Sequence, residues 1–291
     1  MTVDDIDRRY YVHIPPAYDG TTRLPVILNF HGGGGTAKDA MKETQMHEAS
    51  DEYGFIAVHP EGTGTQVLGR LFATWNAGEC CASAMENGID DVGFIEALLD
   101  HLEETYTVDT QRIYATGHSN GALFSYRLAC ELSDRIAAIA PNGSHDAFKE
   151  CHPTRPVPVL HFHGTADPAA PYEGGTCGGL FAKALGLEAT EKDTWLCASV
   201  QAYVQTWAER NGCSTQPVVT IEKGLSRCIS YGQCNQNADV TLCTLDGGGH
   251  TWPGGIYASN LQYYHDTVGP ISSDLDANAI LWEFFAEHPL P

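Results

Sequence analysis

One stretch near the middle of the chain, Gly117-His118-Ser119-Asn120-Gly121, constrains the fold more than any other feature. The apolar residues Ile113-Tyr114-Ala115 before it are typical of a buried strand, and Ala122-Leu123-Phe124 after it begin a helical pattern. A serine at the tip of a sharp strand-to-helix turn has a strained backbone. Side chains beside it would collide with the neighbouring strand and helix, so glycine is favoured on both sides. The stretch therefore predicts a nucleophile elbow with Ser119 as the nucleophile. The alternative is an ordinary glycine-bounded helix cap.

Strand-like and helix-like segments alternate along most of the chain. Besides the elbow strand, strands are predicted at 9–14, 24–30, 55–59, 136–140, 157–162 and within 217–245, and helices at 38–53, 90–106, after Ser119, at 200–210 and at 275–285. This alternation predicts a single α/β domain over 1–291 with a mostly parallel, doubly wound sheet and helices on both faces. Loops are expected at 61–89 and 246–255. The glycine-rich stretch 171–197 is expected to be an inserted loop or small lid.

The net charge is −21, from 37 acidic against 16 basic residues. This balance argues against nucleic acid and anionic lipid surfaces as partners. No run of about 18 apolar residues occurs, so the sequence predicts no membrane-spanning segment.

Ten cysteines are many for a reduced cytosolic enzyme. They form no C-x-x-C motif and no Cys/His cluster at zinc spacing, so the sequence predicts no metal site. Their even number favours disulfides and an oxidising compartment, although the start, Met1-Thr-Val-Asp-Asp, does not resemble a signal peptide. We expect a secreted protein whose signal peptide is not part of this sequence; a cytosolic protein with buried free thiols is the alternative. By proximity, three pairing groups are expected: 80, 81, 130 and 151; 177 with 197; and 213, 228, 234 and 243.

Ser119 requires a base and an acid. In doubly wound hydrolases the acid follows the nucleophile and the histidine comes last. His250 fits the base, because three glycines precede it and free the backbone to place the ring; His265 is the competitor. Asp167 follows the strand at 157–162 and fits the acid that would hold the imidazole tautomer. His161 lies on that strand and is interpreted as a hydrogen-bonded core residue.

An oxyanion hole needs two N–H donors. Asn120 follows the nucleophile and sits at a helix N-terminus, so its backbone N–H is the first candidate. The second is expected from the run Gly32-Gly33-Gly34-Gly35, with Gly33 preferred to Gly34. Three side chains are candidates for substrate binding: Trp75, Trp252 and His118. For the two tryptophans, a place on the rim or in the core is the alternative. No cofactor is predicted.

Taken together, several motifs resemble those of the polyhydroxybutyrate-depolymerase-like secreted esterases, which include feruloyl and acetylxylan esterases of carbohydrate esterase family 1. The motifs are His31-Gly32-Gly33, Asp90-Asp91-Val92-Gly93-Phe94, Gly117-His118-Ser119-Asn120-Gly121-Ala122, His163-Gly164-Thr165-Ala166-Asp167 and Gly248-Gly249-His250-Thr251-Trp252-Pro253-Gly254. The resemblance implies an α/β-hydrolase fold and a Ser119–Asp167–His250 triad. It covers the chain from Arg9 to Phe285.

Within this group the sequence favours an ester of a plant cell-wall polysaccharide, feruloyl or acetyl, as the substrate and partner. Depolymerases of solid polyester typically carry a linker and a polymer-binding domain, and neither is visible in this sequence. A depolymerase of polyhydroxybutyrate or a related polyester is the alternative. A non-catalytic carbohydrate-binding relative and a peptidase on the same fold also stay open. The extra cysteines, notably Cys228 and Cys243, and the insertion depart from the family pattern.

Overall fold

A nine-stranded sheet forms the centre of the protein, whose computed structural model describes residues 1–67, 70–180, 188 and 194–291. The strands are β1 Thr2–Val3, β2 Ile6–Asp7, β3 Tyr10–His13, β4 Leu24–Phe30, β5 Ile56–Pro60, β6 Thr63–Val67, β7 Arg70–Thr74, β8 Val108–His118, β9 Ala138–Asn142, β10 Val159–Gly164, β11 Gly175–Gly178, β12 Thr194–Cys197, β13 Val218–Lys223, β14 Ser226–Tyr231 and β15 Val240–Leu245. The order across the main sheet is β13-β14-β15-β10-β9-β8-β4-β5-β3.

The six inner strands of the main sheet, from β15 to β5, are all parallel. The antiparallel strands lie at the edges, with β3 on one side and β13 with β14 on the other. The predicted edge strand at 9–14 and the mostly parallel sheet are therefore confirmed.

Helices cover both faces of the sheet. They are α1 Ala37–Thr44, α2 Met46–Tyr53, α3 Ala82–Glu86, α4 Asp91–Thr105, α5 Asn120–Glu131, α6 Val200–Arg210, α7 Gln262–Val268 and α8 Ala277–Glu287. Successive side chains of a strand point to opposite faces. In β4, accordingly, Val26 and Leu28 join one buried cluster with α4, α5 and α6, whereas Ile27 joins a second with α2 and α8. The predicted doubly wound α/β fold is confirmed.

Three local predictions need correction. The predicted helix at 38–53 is two helices, because Gln45 adopts a left-handed conformation with φ of 51°. The predicted loop at 61–89 contains the hairpin β6–β7 and helix α3. The segment 171–197 contains a two-stranded hairpin, β11 with β12, in its described part; residues 181–187 and 189–193 of this segment lie outside the described residues.

All ten cysteines are paired, and the pairs fall within the three predicted groups. They are Cys80–Cys81, Cys130–Cys151, Cys177–Cys197, Cys213–Cys234 and Cys228–Cys243. In the part of the chain that the structure describes, no helix has the length and apolar character to cross a bilayer.

The carboxyl ends of the parallel strands meet at one edge of the sheet. β4 ends before His31, β8 before Ser119 and β10 before Thr165. Ligands bind at this edge in open α/β sheets. The parallel topology therefore brings the glycine run, the elbow and the candidate acid to the same place.

Candidate active site

The elbow has the predicted geometry. Ser119 lies between β8 and α5 with φ of 57° and ψ of −119°, a conformation rare for residues other than glycine. A Cβ atom on Gly117 would lie 2.7 Å from the carbonyl oxygen of Phe30, and one on Gly121 would overlap the same group. Both glycines are thus required by the close approach of β4. Ser119 is held where a nucleophile is expected in this architecture.

His250 and Asp167 form a buried hydrogen-bonded pair. His250 Nδ1 lies 2.8 Å from Asp167 Oδ2, and the two residues are 3% and 5% exposed. The other carboxylate oxygen accepts the backbone N–H groups of Ala169 and Ala170, each at 2.8 Å. Burial alone would raise the pKa of Asp167. The charge and hydrogen bond of His250, with a smaller contribution from His163, lower it to about 2 instead. The acid is therefore ionised and oriented toward one imidazole nitrogen.

The loop that carries His250 is fixed by its glycines. Gly249 packs against the backbone of Val268 and Gly269 so closely that a Cβ would overlap the Val268 carbonyl. His250 N–H donates to this same carbonyl at 2.6 Å. His265, the competitor, instead stacks on Tyr257 with its Nε2 2.8 Å from the Ser259 carbonyl oxygen. The structure thus brings His250, and not His265, to Asp167.

Asn142, which the sequence analysis missed, connects the elbow to the His250 loop. Its carbonyl accepts the Ser119 N–H at 2.9 Å, and its side-chain amide donates to the Thr251 carbonyl at 3.0 Å. The next residue, Gly143, lies against the His250–Asp167 pair. A Cβ there would be 3.4 Å from His250 Nδ1 and 3.5 Å from Asp167 Oδ2. The end of β9 therefore sets the spacing of nucleophile, base and acid. No local motif marks Asn142, because its role depends on strand order.

The structure shows which of the three candidate oxyanion donors has a backbone N–H that is already hydrogen-bonded. Asn120 begins α5, so its N–H has no carbonyl one helical turn back to bond. A Cβ on Gly33 would lie 3.5 Å from the Asn120 Cβ, which places the two backbones side by side. Gly34 N–H instead donates to the Ala73 carbonyl at 2.8 Å. Naming Gly34 as a donor was therefore wrong, since its N–H is already engaged, and Asn120 with Gly33 stays the candidate pair.

His118 lies beneath the site and pairs with a residue that the sequence analysis missed. Its Nδ1 is 3.0 Å from Glu43 Oε1, and its ring centroid is 4.5 Å from that of His250. Burial lowers the pKa of His118, but the charge and hydrogen bond of Glu43, with the charge of Asp167, outweigh it and the pKa is raised. His118 is 5% exposed, so direct contact with substrate would need a rearrangement. Nothing local marks Glu43, which is an ordinary acid in a helical pattern.

Both tryptophans are buried, which corrects the prediction that they flank the substrate. Trp75 has no exposed surface, stacks on Phe124 and donates its indole N–H to the His31 carbonyl. Trp252 is 1% exposed and donates to the side chain of Asn278. Each large apolar ring contributes more to stability when buried in the core than at the surface, and each indole N–H donates to an internal acceptor. The alternative of core aromatics holds for both.

The fold and this arrangement define the α/β-hydrolase class. In agreement, the acetyl xylan esterase from Aspergillus awamori superposes with a TM-score of 0.57 at 13% identity, over 83% of this chain and 88% of that one. At this identity the similarity supports the fold alone.

Sequence comparison gives the family. The profile described as "Esterase PHB depolymerase" matches residues 8–174, and the chain belongs to this family. Feruloyl esterase B of Piromyces equi is 31% identical over 249 residues, which are 84% of this chain and 42% of that protein. Feruloyl esterase C of Emericella nidulans is 29% identical over 258 residues, 87% of this chain and 80% of that protein. The chain thus spans less than half of the Piromyces protein.

Proposed function

We propose that this chain hydrolyses carboxylic esters through a covalent acyl-enzyme formed on Ser119. The observation that carries the proposal is the buried His250–Asp167 pair beside a strained serine elbow. The names of the relatives support the same class of reaction.

In this mechanism His250 takes the proton of the Ser119 hydroxyl while the oxygen attacks the ester carbonyl. The negative charge that develops on the carbonyl oxygen is bound by the N–H groups of Asn120 and Gly33. Collapse of the intermediate breaks the bond to the alcohol, which leaves with the proton from His250. A water molecule, deprotonated by His250, then releases the acid and regenerates the serine. Asp167 holds the imidazole in orientation and stabilises its cationic form.

We further propose feruloyl or acetyl esters of plant cell-wall polysaccharide as the substrates. The support is the set of proteins named as feruloyl and acetylxylan esterases among the relatives similar in sequence. The five disulfides support an extracellular location, where such polymers are met. A polyester of hydroxybutyrate is the second candidate substrate, because the matching family is described as "Esterase PHB depolymerase".

The test compares feruloylated arabinoxylan, acetylated xylan and polyhydroxybutyrate side by side, with product analysis by chromatography. Wild type should release ferulate or acetate, and the Ser119→Ala variant should release neither. Faster release of hydroxybutyrate oligomers than of either acid would reverse the substrate order. Failure on all three polymers and on 4-nitrophenyl acetate would contradict the hydrolase function itself.

A further inference from the structure

Three histidines outside the proposed catalytic set come together in the core. His145, His161 and His163 have no exposed surface, and each offers a ring nitrogen within 4.8 Å of the others. His161 and His163 lie two residues apart on β10, and His145 follows β9, the neighbouring strand. We propose that these three imidazoles form a binding site for a zinc-class divalent metal ion, a site that the sequence analysis did not predict.

The outer nitrogens of the three rings are already positioned as those of metal ligands are. His145 Nε2 lies 2.9 Å from the Ala198 carbonyl oxygen, and His163 Nε2 lies 2.7 Å from that of Ala170. His161 Nδ1 lies 2.9 Å from the Tyr126 hydroxyl. Metal-binding histidines almost always hydrogen-bond their second nitrogen in this way, which fixes the ring and the tautomer. One nitrogen of each ring is thus engaged by an outer partner, which leaves the other nitrogen as the proposed ligand atom.

The inner nitrogens are His145 Nδ1, His161 Nε2 and His163 Nδ1. His145 and His163 use their outer N–H groups to donate to carbonyls, so in the neutral rings both inner nitrogens carry lone pairs. The inner nitrogen of His145 is buried and has no hydrogen-bond partner in the described residues. A buried polar atom without a partner is costly, and a bound cation would satisfy it.

Without metal, His161 Nε2 lies 2.9 Å from His163 Nδ1 and donates its proton there. Metal binding requires that proton to move to His161 Nδ1, where the Tyr126 hydroxyl oxygen accepts the hydrogen bond. The ring stays neutral, so the exchange releases no net proton. The metal replaces bound water with three imidazole nitrogens.

All three rings are completely buried, and burial favours the neutral form of an imidazole. Neutral imidazole is the form that binds metal. The carboxylate of Asp167, 3.6 Å from His163 Nε2, supplies a nearby negative charge.

The ligand set decides the class of metal. Imidazole nitrogens suit zinc, copper and nickel, whereas magnesium and calcium prefer oxygen. Zinc–nitrogen bonds of about 2.0–2.1 Å place tetrahedral ligands roughly 3.3 Å apart. The His161–His163 contact at 2.9 Å must therefore open by a few tenths of an ångström, and any pair near the 4.8 Å limit must close. Among the described residues only these three side chains group as ligands, so we assign the fourth tetrahedral position to a non-protein ligand. A bound ion would connect β10 to the Asp167 loop through Ala170 and to the 171–197 hairpin through Ala198.

The experiment measures zinc uptake by the whole chain, freed of metal with a chelator, incubated with zinc chloride to equilibrium and dialysed. Wild type and the surface control His152→Gln should each retain about one equivalent. The His145→Gln variant should retain none and bind zinc at least about 100-fold more weakly by competition with a chromophoric chelator. Cobalt in place of zinc should give the intense visible absorption of a tetrahedral site in wild type and not in His145→Gln.

A second variant keeps the test decisive should His145→Gln fail to fold. Tyr126→Phe keeps all three ligands and removes only the outer partner of His161, so zinc affinity should fall by roughly 10- to 100-fold. Equal zinc retention by wild type and His145→Gln, or no retention by wild type, would overturn the proposal. Unchanged affinity in Tyr126→Phe would equally contradict it. Ester hydrolysis is not the readout, so this test stands apart from the proposed function.

Discussion

Glu43 Oε1 lies 3.0 Å from Nδ1 of His118, the residue directly before Ser119, and both side chains are almost completely buried. The His118 ring in turn lies 4.5 Å from that of His250. Two imidazoles thus adjoin the elbow, but each has a different carboxylate. Because Glu43 already engages Nδ1 of His118, whereas Asp167 engages Nδ1 of His250, we keep His250 as the proposed base.

The Glu43–His118 pair should stabilise the fold most at acid pH. A group whose pKa is raised on folding contributes stability that is complete below its unfolded pKa and is lost as pH rises through the folded pKa. Glu43→Gln leaves His118 buried without its counter-charge, at a cost of about 3–5 kcal/mol when the pair is charged. Chemical denaturation at pH 5 and pH 9 should therefore give a larger loss of unfolding free energy at pH 5.

The matched control for this change is Glu48→Gln on α2, whose side chain is 67% exposed. It should change the unfolding free energy by less than about 0.5 kcal/mol at both pH values. A loss in Glu43→Gln that is equal at the two pH values would mean that His118 is neutral throughout.

Ser119→Ala should remove ester hydrolysis, because no acyl-enzyme can form. Loss of the nucleophile in a comparable triad costs about 10⁶ in kcat. The measurement is release of 4-nitrophenol from 4-nitrophenyl acetate by purified protein with an unchanged circular dichroism spectrum. A phosphonate reagent should label wild type at this serine alone by peptide mass mapping, and full activity in the variant would contradict the site.

His250→Ala and Asp167→Asn should both be severely impaired, whereas His265→Ala should retain activity. The asparagine favours the wrong imidazole tautomer, and the same change in trypsin lowers kcat by roughly 10⁴. The pKa of Asp167 at about 2 keeps this acid ionised above about pH 3, so its protonation should not limit activity down to that pH. An active His250→Ala with an inactive His265→Ala would reassign the base.

Trp252→Ala should act through stability and not through substrate stacking, because the indole is 1% exposed. Removal of a buried tryptophan typically costs about 3–5 kcal/mol of unfolding free energy. We expect KM for an aromatic cell-wall ester and for 4-nitrophenyl acetate to change by the same factor. A selective rise in KM for the aromatic ester would restore the prediction that Trp252 contacts substrate.

The Cys177–Cys197 disulfide should stabilise the protein by constraining the unfolded chain. Its loop spans 20 residues, which corresponds to roughly 3 kcal/mol in the chain-entropy model. The double variant Cys177→Ser, Cys197→Ser should lose about that much in urea denaturation. In wild type, mass spectrometry after alkylation without reductant should find no modified cysteine. Extensive alkylation would contradict both the pairing and the proposed extracellular location.

Local patterns were enough for the parts of the protein whose geometry is set by neighbours in the chain. The glycines around Ser119 predicted the elbow, and the apolar run Leu24–Phe30 predicted β4 with its observed bounds. Strand-helix alternation then predicted the parallel sheet, which restricted the acid and base to loops at one edge. The choice of Asp167 and His250 followed from chain order and from glycines beside the histidine.

Tertiary structure alone decided which groups share an environment. Glu43, Asn142 and His145 carry no local signal, because their partners come from other strands and helices. Tertiary packing also determined that Trp75 and Trp252 are core residues. The glycine-rich composition of their loops predicts exposure, but α5 encloses the ring of Trp75 and α8 encloses that of Trp252. Sequence periodicity specifies which face of an element is apolar. The distances between faces, and therefore the hydrogen bonds and pKa shifts of the site, exist only once the elements have packed.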